Sequence, residues 1–287
     1  MFLIPQPESD AVDHIDGCQV VPMWDTPVEL AALIVALYDG ARFSNNSLSD
    51  WYYLAGILRL STKYFINKLR LQAIEYLSRT WSYTLKGHDD MVDFALRSPS
   101  VDGLSYPYVH PLHVLNLARE TNVRVVVPSA VYFLSLYALE DLLRGDHPKL
   151  TTVSHPARPS SHLADSDIRD YTLMFQARMD TLISFTRKFC GARAPIDACR
   201  TQAACIRGFA RLCSRLNRSW ITRTGSLHFM SQAINDLSED PKSEVCALCR
   251  RAFTDDVHAL REKTWSELPS VLGLPPWEDL VATDLHS

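Results

Sequence analysis

Residues 26–81 read TPVELAALIVALYDGARFSNNSLSDWYYLAGILRLSTKYFINKLRLQAIEYLSRTW, and they contain three helical patterns that decide the fold. The first pattern opens with Thr26 as its N-cap, Pro27 at the first helical position and Glu29 in place for a capping box. Asp39-Gly40 ends it, and two further helical patterns follow. Helical hairpins of this kind usually present a surface to another protein, so the stretch indicates binding rather than catalysis.

Apolar residues of the three patterns recur every three or four positions, which is the period of one helix face. They are Leu30, Leu33, Ile34 and Leu37 in the first pattern, Trp51, Tyr52, Leu54, Ala55 and Leu58 in the second, and Ile66, Leu69, Ala73, Ile74 and Leu77 in the third. Residues 18–24, CQVVPMW, are short and apolar and predict a strand, and Pro22 indicates either an edge strand or the end of the strand. Similar helical stripes return towards the C-terminus, so we predict a mostly α protein with one or two short strands.

Composition excludes several classes of protein. Of the 287 residues, 47% are hydrophobic, which is enough for a sizeable core, and the net charge of -4 gives no general attraction to nucleic acid or anionic membranes. No apolar run approaches the roughly 20 residues needed to span a bilayer. The start of the chain lacks the pattern of a signal peptide, and seven cysteines are few enough to be reduced thiols. We therefore expect a soluble protein of the cytoplasm or nucleus.

Short motifs throughout the chain resemble one protein family. They are DGCQVV at 16–21, DTP at 25–27, LYD at 37–39, ILRLSTKY at 57–64, LR at 69–70 and AIEYL at 73–77, and then LARE at 117–120, PSA at 128–130, Cys246 with Cys249, Arg261, Trp265, LP at 268–269 and PW at 276–277. The first group resembles the second half of a BTB/POZ domain of the type found in mushroom-forming fungi. The second group resembles the helical region that follows that domain in those proteins.

The resemblance implies an incomplete domain. A complete BTB/POZ domain begins with strands and a helical hairpin, and this chain lacks that opening half together with the family's dimerisation elements. We expect the remaining helices to expose apolar faces that the missing part would cover. Either Met1 is a late start, or residues further along the chain fill the gap.

The resemblance and the composition together divide the chain into five segments. They are a poorly ordered N-terminus at 1–15, a partial BTB/POZ-like module at 16–85, a helical extension at 86–145, an exposed loop or linker at 146–166, and a helical C-terminal region at 167–287 that ends in a Trp- and Pro-rich tail. The linker prediction comes from its prolines, serines and histidines, which show no hydrophobic period. In the tail, Trp265 and Trp277 either bury their indoles across the domain or belong to an exposed docking peptide.

The most specific chemical pattern is Cys246-Ala247-Leu248-Cys249. Two thiolates at this spacing can bind one zinc ion, but a structural site needs four ligands. The further candidates are Cys190 and Cys199, or His258 as a nitrogen ligand. The alternatives are ordinary thiols, or a redox pair, although the helical context differs from that of thioredoxin-like redox motifs. No other cofactor is predicted.

Other polar groups carry less specific signals. Arginines at 200, 207, 211, 215 and 218 share one side of a helical pattern and suggest phosphate or an acidic partner, or a solvated face. No aromatic residues interleave with them, so nucleic acid is not the expected partner. His147, His155 and His162 are interpreted as part of the solvated loop.

Candidate partner contacts come from the three helical patterns. Phe43 is a lone aromatic in a polar tip, and Trp51 and Tyr52, which share the second apolar stripe, fit either the core or a contact. Leu37, Tyr38 and Tyr64 are predicted to belong to the core instead.

These observations favour a non-catalytic protein–protein interaction module. The chain has no GxSxG, P-loop, HExxH or GxGxxG motif, so we predict that it is not an enzyme. The family resemblance implies an adaptor linked to ubiquitin-ligase assembly or transcriptional regulation, whose partners are another BTB chain or a cullin-type scaffold. The alternatives are a zinc-stabilised regulator acting near nucleic acid, and a truncated relic without independent function.

Overall fold

The computed structural model describes residues 14–151, 155–239 and 244–286, and this part of the chain is mostly helical, as predicted. Segment 1–15, which we expected to be poorly ordered, lies outside the described residues except for His14 and Ile15, which form a strand. That strand, β1 (His14–Ile15), pairs antiparallel with β2 (Cys18–Gln19), with His14 opposite Gln19. The predicted strand at 18–24 is therefore shorter than expected, and its apolar remainder is exposed.

Helices make up most of the described chain. They are α1 (Pro27–Asp39), α2 (Leu48–Lys63), α3 (Asn67–Thr80), α4 (Leu85–Arg97), α5 (Pro111–Glu120), α6 (Val127–Leu134), α7 (Leu139–Arg144), α8 (Pro148–Thr151), α9 (Asp165–Ser184), a π-helical segment (Phe185–Gly191), α10 (Gln202–Ser219), α11 (Ser226–Glu239), α12 (Ala247–Val271) and α13 (Trp277–Leu285). The buried side chains of these elements form one continuous core.

Helix α2 lies at the centre of the N-terminal helices, between α1 and α3. It begins with a capping box in which Ser47 and Asp50 satisfy each other's backbone N–H groups. Its residues Ile57 and Leu58 are fully buried. Gly56 allows α1 to approach closely, because a Cβ atom there would lie 2.9 Å from the Cγ atom of Glu29.

The predicted capping box of α1 is absent. Thr26 is the N-cap residue by position, but its side chain makes no capping hydrogen bond. Glu29 turns inwards instead and accepts a hydrogen bond from Arg59 at 2.6 Å. Burying an unpaired carboxylate costs more free energy than leaving the start of a helix without a side-chain cap. Glu29 therefore pairs with Arg59 and links α1 to α2.

Segment 146–166 differs from the exposed loop expected there. It contains α8 and the start of α9, and it buries Leu150, Ala157 and Leu163. Asn116 of α5 donates hydrogen bonds to two of its carbonyl oxygens, those of Ser160 and His162. The segment packs through single apolar side chains and backbone carbonyls, which leave no periodic signal in the sequence.

The C-terminal helices pack against the N-terminal ones. Helix α12 contacts α4 and α6, and α13 contacts α3. The indoles of Trp265 and Trp277 are both buried and stack with their ring centroids 5.5 Å apart, which confirms the first interpretation of the tail. The Trp265 Nε1–H group donates to the carbonyl of Tyr83, which ties α12 to the loop before α4.

Asp284 at the end of α13 generates a stability prediction. Its carboxylate accepts hydrogen bonds from the backbone N–H groups of Arg124 and Val125 at 2.6 and 2.7 Å. We expect Asp284→Ala to lower the free energy of unfolding by about 2–3 kcal/mol, because a buried charge-assisted pair of bonds is lost. Urea unfolding measures this loss. Asp279→Ala on the exposed side of the same helix is the control, and equal losses in the two variants would refute the assignment.

Buried His88 generates a prediction of acid sensitivity. Both of its ring nitrogens lack a hydrogen-bond partner among the described residues, and the ring lies against Phe133 and Trp265. Burial, with a smaller effect of Arg261, lowers the pKa of His88 from 6.5 to about 3. The unfolded chain therefore binds this proton more readily, and native stability is lost as the pH falls from 6.5 towards 3.

Unfolding free energies measured between pH 7 and pH 4 test this expectation. Lowering the pKa of His88 from 6.5 to about 3 corresponds to about 5 kcal/mol in full, and about 3 kcal/mol of this falls within the measured pH range. His88→Phe should flatten part of the pH dependence, whereas His162→Gln in the exposed part of the chain should leave it unchanged. A His88→Phe profile that matches the unaltered protein would contradict the account.

Candidate metal centre and binding face

Four cysteine side chains converge between the start of α10 and the start of α12. The Sγ atoms of Cys199, Cys205, Cys246 and Cys249 all lie within 4.8 Å of one another. No other group of three or more potential metal ligands is found in the described part of the chain. The CxxC pair therefore has two thiol partners, as a four-ligand site requires.

Local backbone structure positions these thiols. Cys246 is the N-cap residue of α12, and its sulfur accepts the backbone N–H group of Cys249 at 3.4 Å. Cys205 lies in the first turn of α10, where its sulfur accepts the backbone N–H group of Cys246 at 3.3 Å. Cys199 lies in the turn before α10, with its N–H group bonded to the carbonyl of Ile196. Hydrogen bonds from N–H groups to sulfur favour thiolates over thiols.

The distances fit a single tetrahedral ion. With metal–sulfur bonds of about 2.3 Å, the sulfurs of a tetrahedral site lie about 3.8 Å apart. The Sγ atom of Cys199 lies 3.6 Å from that of Cys205 and 3.8 Å from that of Cys246. An iron–sulfur cluster places several metal ions and sulfides between the thiolates and would need them further apart. The arrangement is thus compatible with one ion held entirely by protein ligands.

The four thiols have different electrostatic environments. The backbone N–H group of Cys249 is the main cause that lowers the pKa of Cys246 to about 7. Burial raises the pKa of Cys249 to about 12. The positive end of the α12 helix dipole lies at Cys246 and further favours negative charge there. Cys246 is also the only half-exposed member, since the other three are buried.

The predicted ligand set is corrected at one position. Cys246, Cys249 and Cys199 belong to the group, but Cys190 and His258 do not. Cys190 is buried in the π-helical segment, where burial and the neighbouring Cys213 thiol raise its pKa to about 12. The fourth thiol is Cys205, which the sequence pattern placed on the apolar face of a helix. It lies six residues from Cys199, but this spacing alone does not distinguish a metal ligand from a buried thiol.

The exposed side of α1 is apolar, and we call Val28, Ala31, Ile34, Val35, Leu37 and Tyr38 the α1 face. Leu37 is 54% exposed and Tyr38 is 87% exposed, so the prediction that they belong to the core is wrong. The charged residues of α1 are Glu29, which is buried, and Asp39, which is its last residue. Helix α1 therefore leaves an apolar face without charged side chains exposed to solvent.

The predicted contact residues lie elsewhere. Trp51 and Tyr52 are buried in α2, and the Tyr52 ring stacks on that of His155 at 4.2 Å. Phe43 is half-buried, with its ring packed against Tyr53 and Tyr76. The apolar stripe of α2 faces the core, whereas that of α1 is only half covered, so the exposed apolar surface lies on α1 and not on the tip beside it.

Two further polar groups are structural in character. His113 Nε2 lies 2.9 Å from Ser161 Oγ, but within the described part of the chain His113 Nδ1 has no hydrogen-bond partner to orient the ring, and burial lowers the pKa of His113 to about 4. A base this weak, without an orienting acid, lacks the features of a catalytic pair. We call the arginines at 200, 207, 211, 215 and 218 the arginine face. Two of them, Arg207 and Arg211, pair with Glu244, which neutralises part of the positive charge of this face.

Comparisons with protein-family models, curated proteins and solved structures find no match for this chain. Within the described ranges, no helix is both long enough and apolar enough to cross a bilayer.

Cys246 generates a prediction of thiol reactivity. In chelator-treated protein, its pKa of about 7 and its partial exposure should make it the first of the four cysteines to be alkylated by iodoacetamide. The rate should rise steeply between pH 6 and pH 8. Peptide mass spectrometry after short labelling identifies the residue, with exposed Cys18 as an internal reference. Preferential labelling of Cys249 would contradict the geometry.

Proposed function

We propose that this chain is a non-catalytic protein-interaction module, an adaptor of the BTB/POZ type, and that the α1 face binds an apolar segment of its partner. The observation that carries the proposal is this uncharged helix face, which the described residues leave open to solvent. A helix that is apolar on all sides is normally buried on all sides. The partner segment is therefore apolar and brings no charge to the contact.

The resemblance of the short motifs supports the adaptor class. It implies another BTB chain or a cullin-type scaffold as the partner, in the cytoplasm or nucleus. The absence of catalytic motifs in the sequence supports a binding role rather than an enzymatic one.

A structural zinc ion at the four cysteines is the second part of the proposal. Four thiolates leave no position open for substrate or water, and such closed sites stabilise folds rather than catalyse reactions. The ion would join the turn before α10 to the start of α12, two elements separated by a stretch of chain that includes α11. Zinc binding then contributes directly to the stability of the C-terminal helices.

The second candidate function is a zinc-stabilised regulator acting near nucleic acid. The four-cysteine group favours its zinc component. The arginine face favours its nucleic-acid component only weakly, because Glu244 neutralises two of the arginines. A salt-dependent DNA-binding assay separates this candidate from the adaptor.

Photo-crosslinking tests the binding face. A photoreactive benzoylphenylalanine at position 38, in place of Tyr38, should capture one partner in cells, and the same group in place of exposed Arg169 should not. The partner is identified by mass spectrometry and then purified. Val35→Asp should weaken its binding by about tenfold or more, because a charge is placed inside an apolar contact.

A partner that binds the Val35→Asp variant and the unaltered protein equally would refute the face assignment. Circular dichroism of the variant provides the folding control, since Val35 is exposed and its substitution should leave the helical signal unchanged.

Metal analysis tests the zinc assignment. Protein purified without chelator should contain about one zinc ion per chain. Cys205→Ser should lose the ion and melt at a lower temperature, whereas Cys190→Ser should retain it, because Cys190 lies outside the group. Retention of zinc by Cys205→Ser together with its loss from Cys190→Ser would overturn the assignment.

A further inference from the structure

Arg178 on α9 is buried without a carboxylate partner among the described residues. Its side chain donates from Nε to Ser135 Oγ, from Nη2 to the carbonyl of Ser135, and from Nη1 to the carbonyl of Thr224. The residue is only 2% exposed. Buried arginines are normally paired with an anion, whereas the charge of this guanidinium is balanced only in part, by the Phe175 ring whose centroid lies 5.1 Å away.

A cavity of about 100 Å³ lies beside this guanidinium, between α9, α11 and α12. It is large enough for a few heavy atoms, since one water molecule takes about 30 Å³. Tyr132 and Ser226 contribute hydroxyl groups to its wall, and their oxygens lie 3.4 Å apart. Both residues are buried, and the Tyr132 oxygen already accepts the backbone N–H group of Leu227 at 3.2 Å, which leaves its hydroxyl hydrogen to donate.

The start of α11 adds a second source of positive potential. Ser226 is the first residue of this 14-residue helix, and the positive end of the helix dipole therefore faces the cavity. A cation, a helix N-terminus and two hydroxyl donors meet at one enclosed space. Each of these groups favours an anion.

Capping of α6 explains only part of the arrangement. Arg178 binds the carbonyl of Ser135, the C-cap residue of α6, which is a favourable place for a cation. A guanidinium has five N–H donors, and the three bonds to Ser135 and Thr224 leave two of them without an acceptor in the described part of the chain. Capping also gives no reason for a cavity at this point.

The remaining wall selects the kind of anion. Met174, Leu268 and Val271 give it an apolar side. Phosphate, which is polar in every direction, would leave oxygens against these side chains, whereas a short aliphatic carboxylate has one polar and one apolar end. We propose that this cavity binds a small aliphatic carboxylate, with Arg178, Ser226 and Tyr132 at its oxygens.

Glu267 on α12 bears on the strength of binding. It lines the cavity and lies 3.8 Å from Lys263. Its negative charge opposes an incoming anion. Glu267→Gln should therefore tighten carboxylate binding while leaving the arginine and the hydroxyls in place.

Calorimetric titration of the full chain with sodium propionate tests the proposal, with sodium phosphate and sodium chloride at equal ionic strength for comparison. We expect saturable binding of propionate and none of phosphate or chloride. Ala177→Leu fills the cavity without removing Arg178, and we expect it to weaken binding by about tenfold or more. Ala203→Leu, at an exposed position on α10, is the matched control and should bind as the unaltered chain does.

Three results would overturn the proposal. The first is the absence of propionate binding to both the unaltered chain and Glu267→Gln. The second is equal binding of propionate by the Ala177→Leu and Ala203→Leu variants, provided that both melt as the unaltered chain does. The third is binding of phosphate in preference to propionate, which would show that the apolar wall does not select the ligand.

Discussion

The guanidinium of Arg261 lies where the N-terminal and C-terminal helices meet, in the middle of α12. Its Nε–H group donates to the carbonyl of Leu227 in α11, and its Nη2 group forms an ion pair with Asp89 of α4 at 2.5 Å. A buried arginine is costly unless its donors are satisfied, so α4, α11 and α12 must keep one relative position. The remaining contacts of α12 depend on that position, because Cys246 and Cys249 begin the helix and Trp265 lies one turn beyond Arg261.

Helix α12 is therefore fixed at three points of different chemistry. At its start are the four thiols, in its middle is the Arg261 ion pair, and near its end are the stacked indoles of Trp265 and Trp277. The middle and end contacts reach the N-terminal helices through Asp89 and through the carbonyl of Tyr83. The thiols instead hold α10 to α12. A metal at the thiols would thus stabilise the C-terminal region, while the α1 face, on the first helix of the chain, remains exposed to solvent.

Much of the helical content could be predicted from the sequence, because α2 and α3 have one apolar stripe each and both stripes face the core. The buried side of α1 could not be predicted, because nearly every residue of this helix is apolar and periodicity then cannot tell which side is buried. That is why Leu37 and Tyr38, which lie on its solvent side, were assigned to the core. The Ser47–Asp50 capping box that begins α2 is visible as a sequence pattern, but the partner of Glu29 lies 30 residues away.

Only part of the four-cysteine group could be predicted from the sequence. Cys246 and Cys249 are recognisable because one helical turn brings them together. Cys205 falls on the apolar side of α10, where a thiol is indistinguishable from a small hydrophobic residue. Its role depends on the packing of α10 against the start of α12, and no local pattern records that packing. The same holds for Arg178. Nothing in the sequence distinguishes it from other helix residues, because its burial depends on elements that are distant in the chain.

Hydrogen exchange with and without a zinc chelator tests the central claim, that α12 is held at its start by the thiol group and in its middle by Arg261. Removal of the metal should speed exchange in the first turns of α10 and α12, while the amides around Arg261 and those of α2 keep their protection. Unchanged exchange at the start of α12, in protein shown to have lost its metal, would contradict the claim. Uniform loss of protection along the whole helix would contradict it equally, because the middle would then have no anchor of its own.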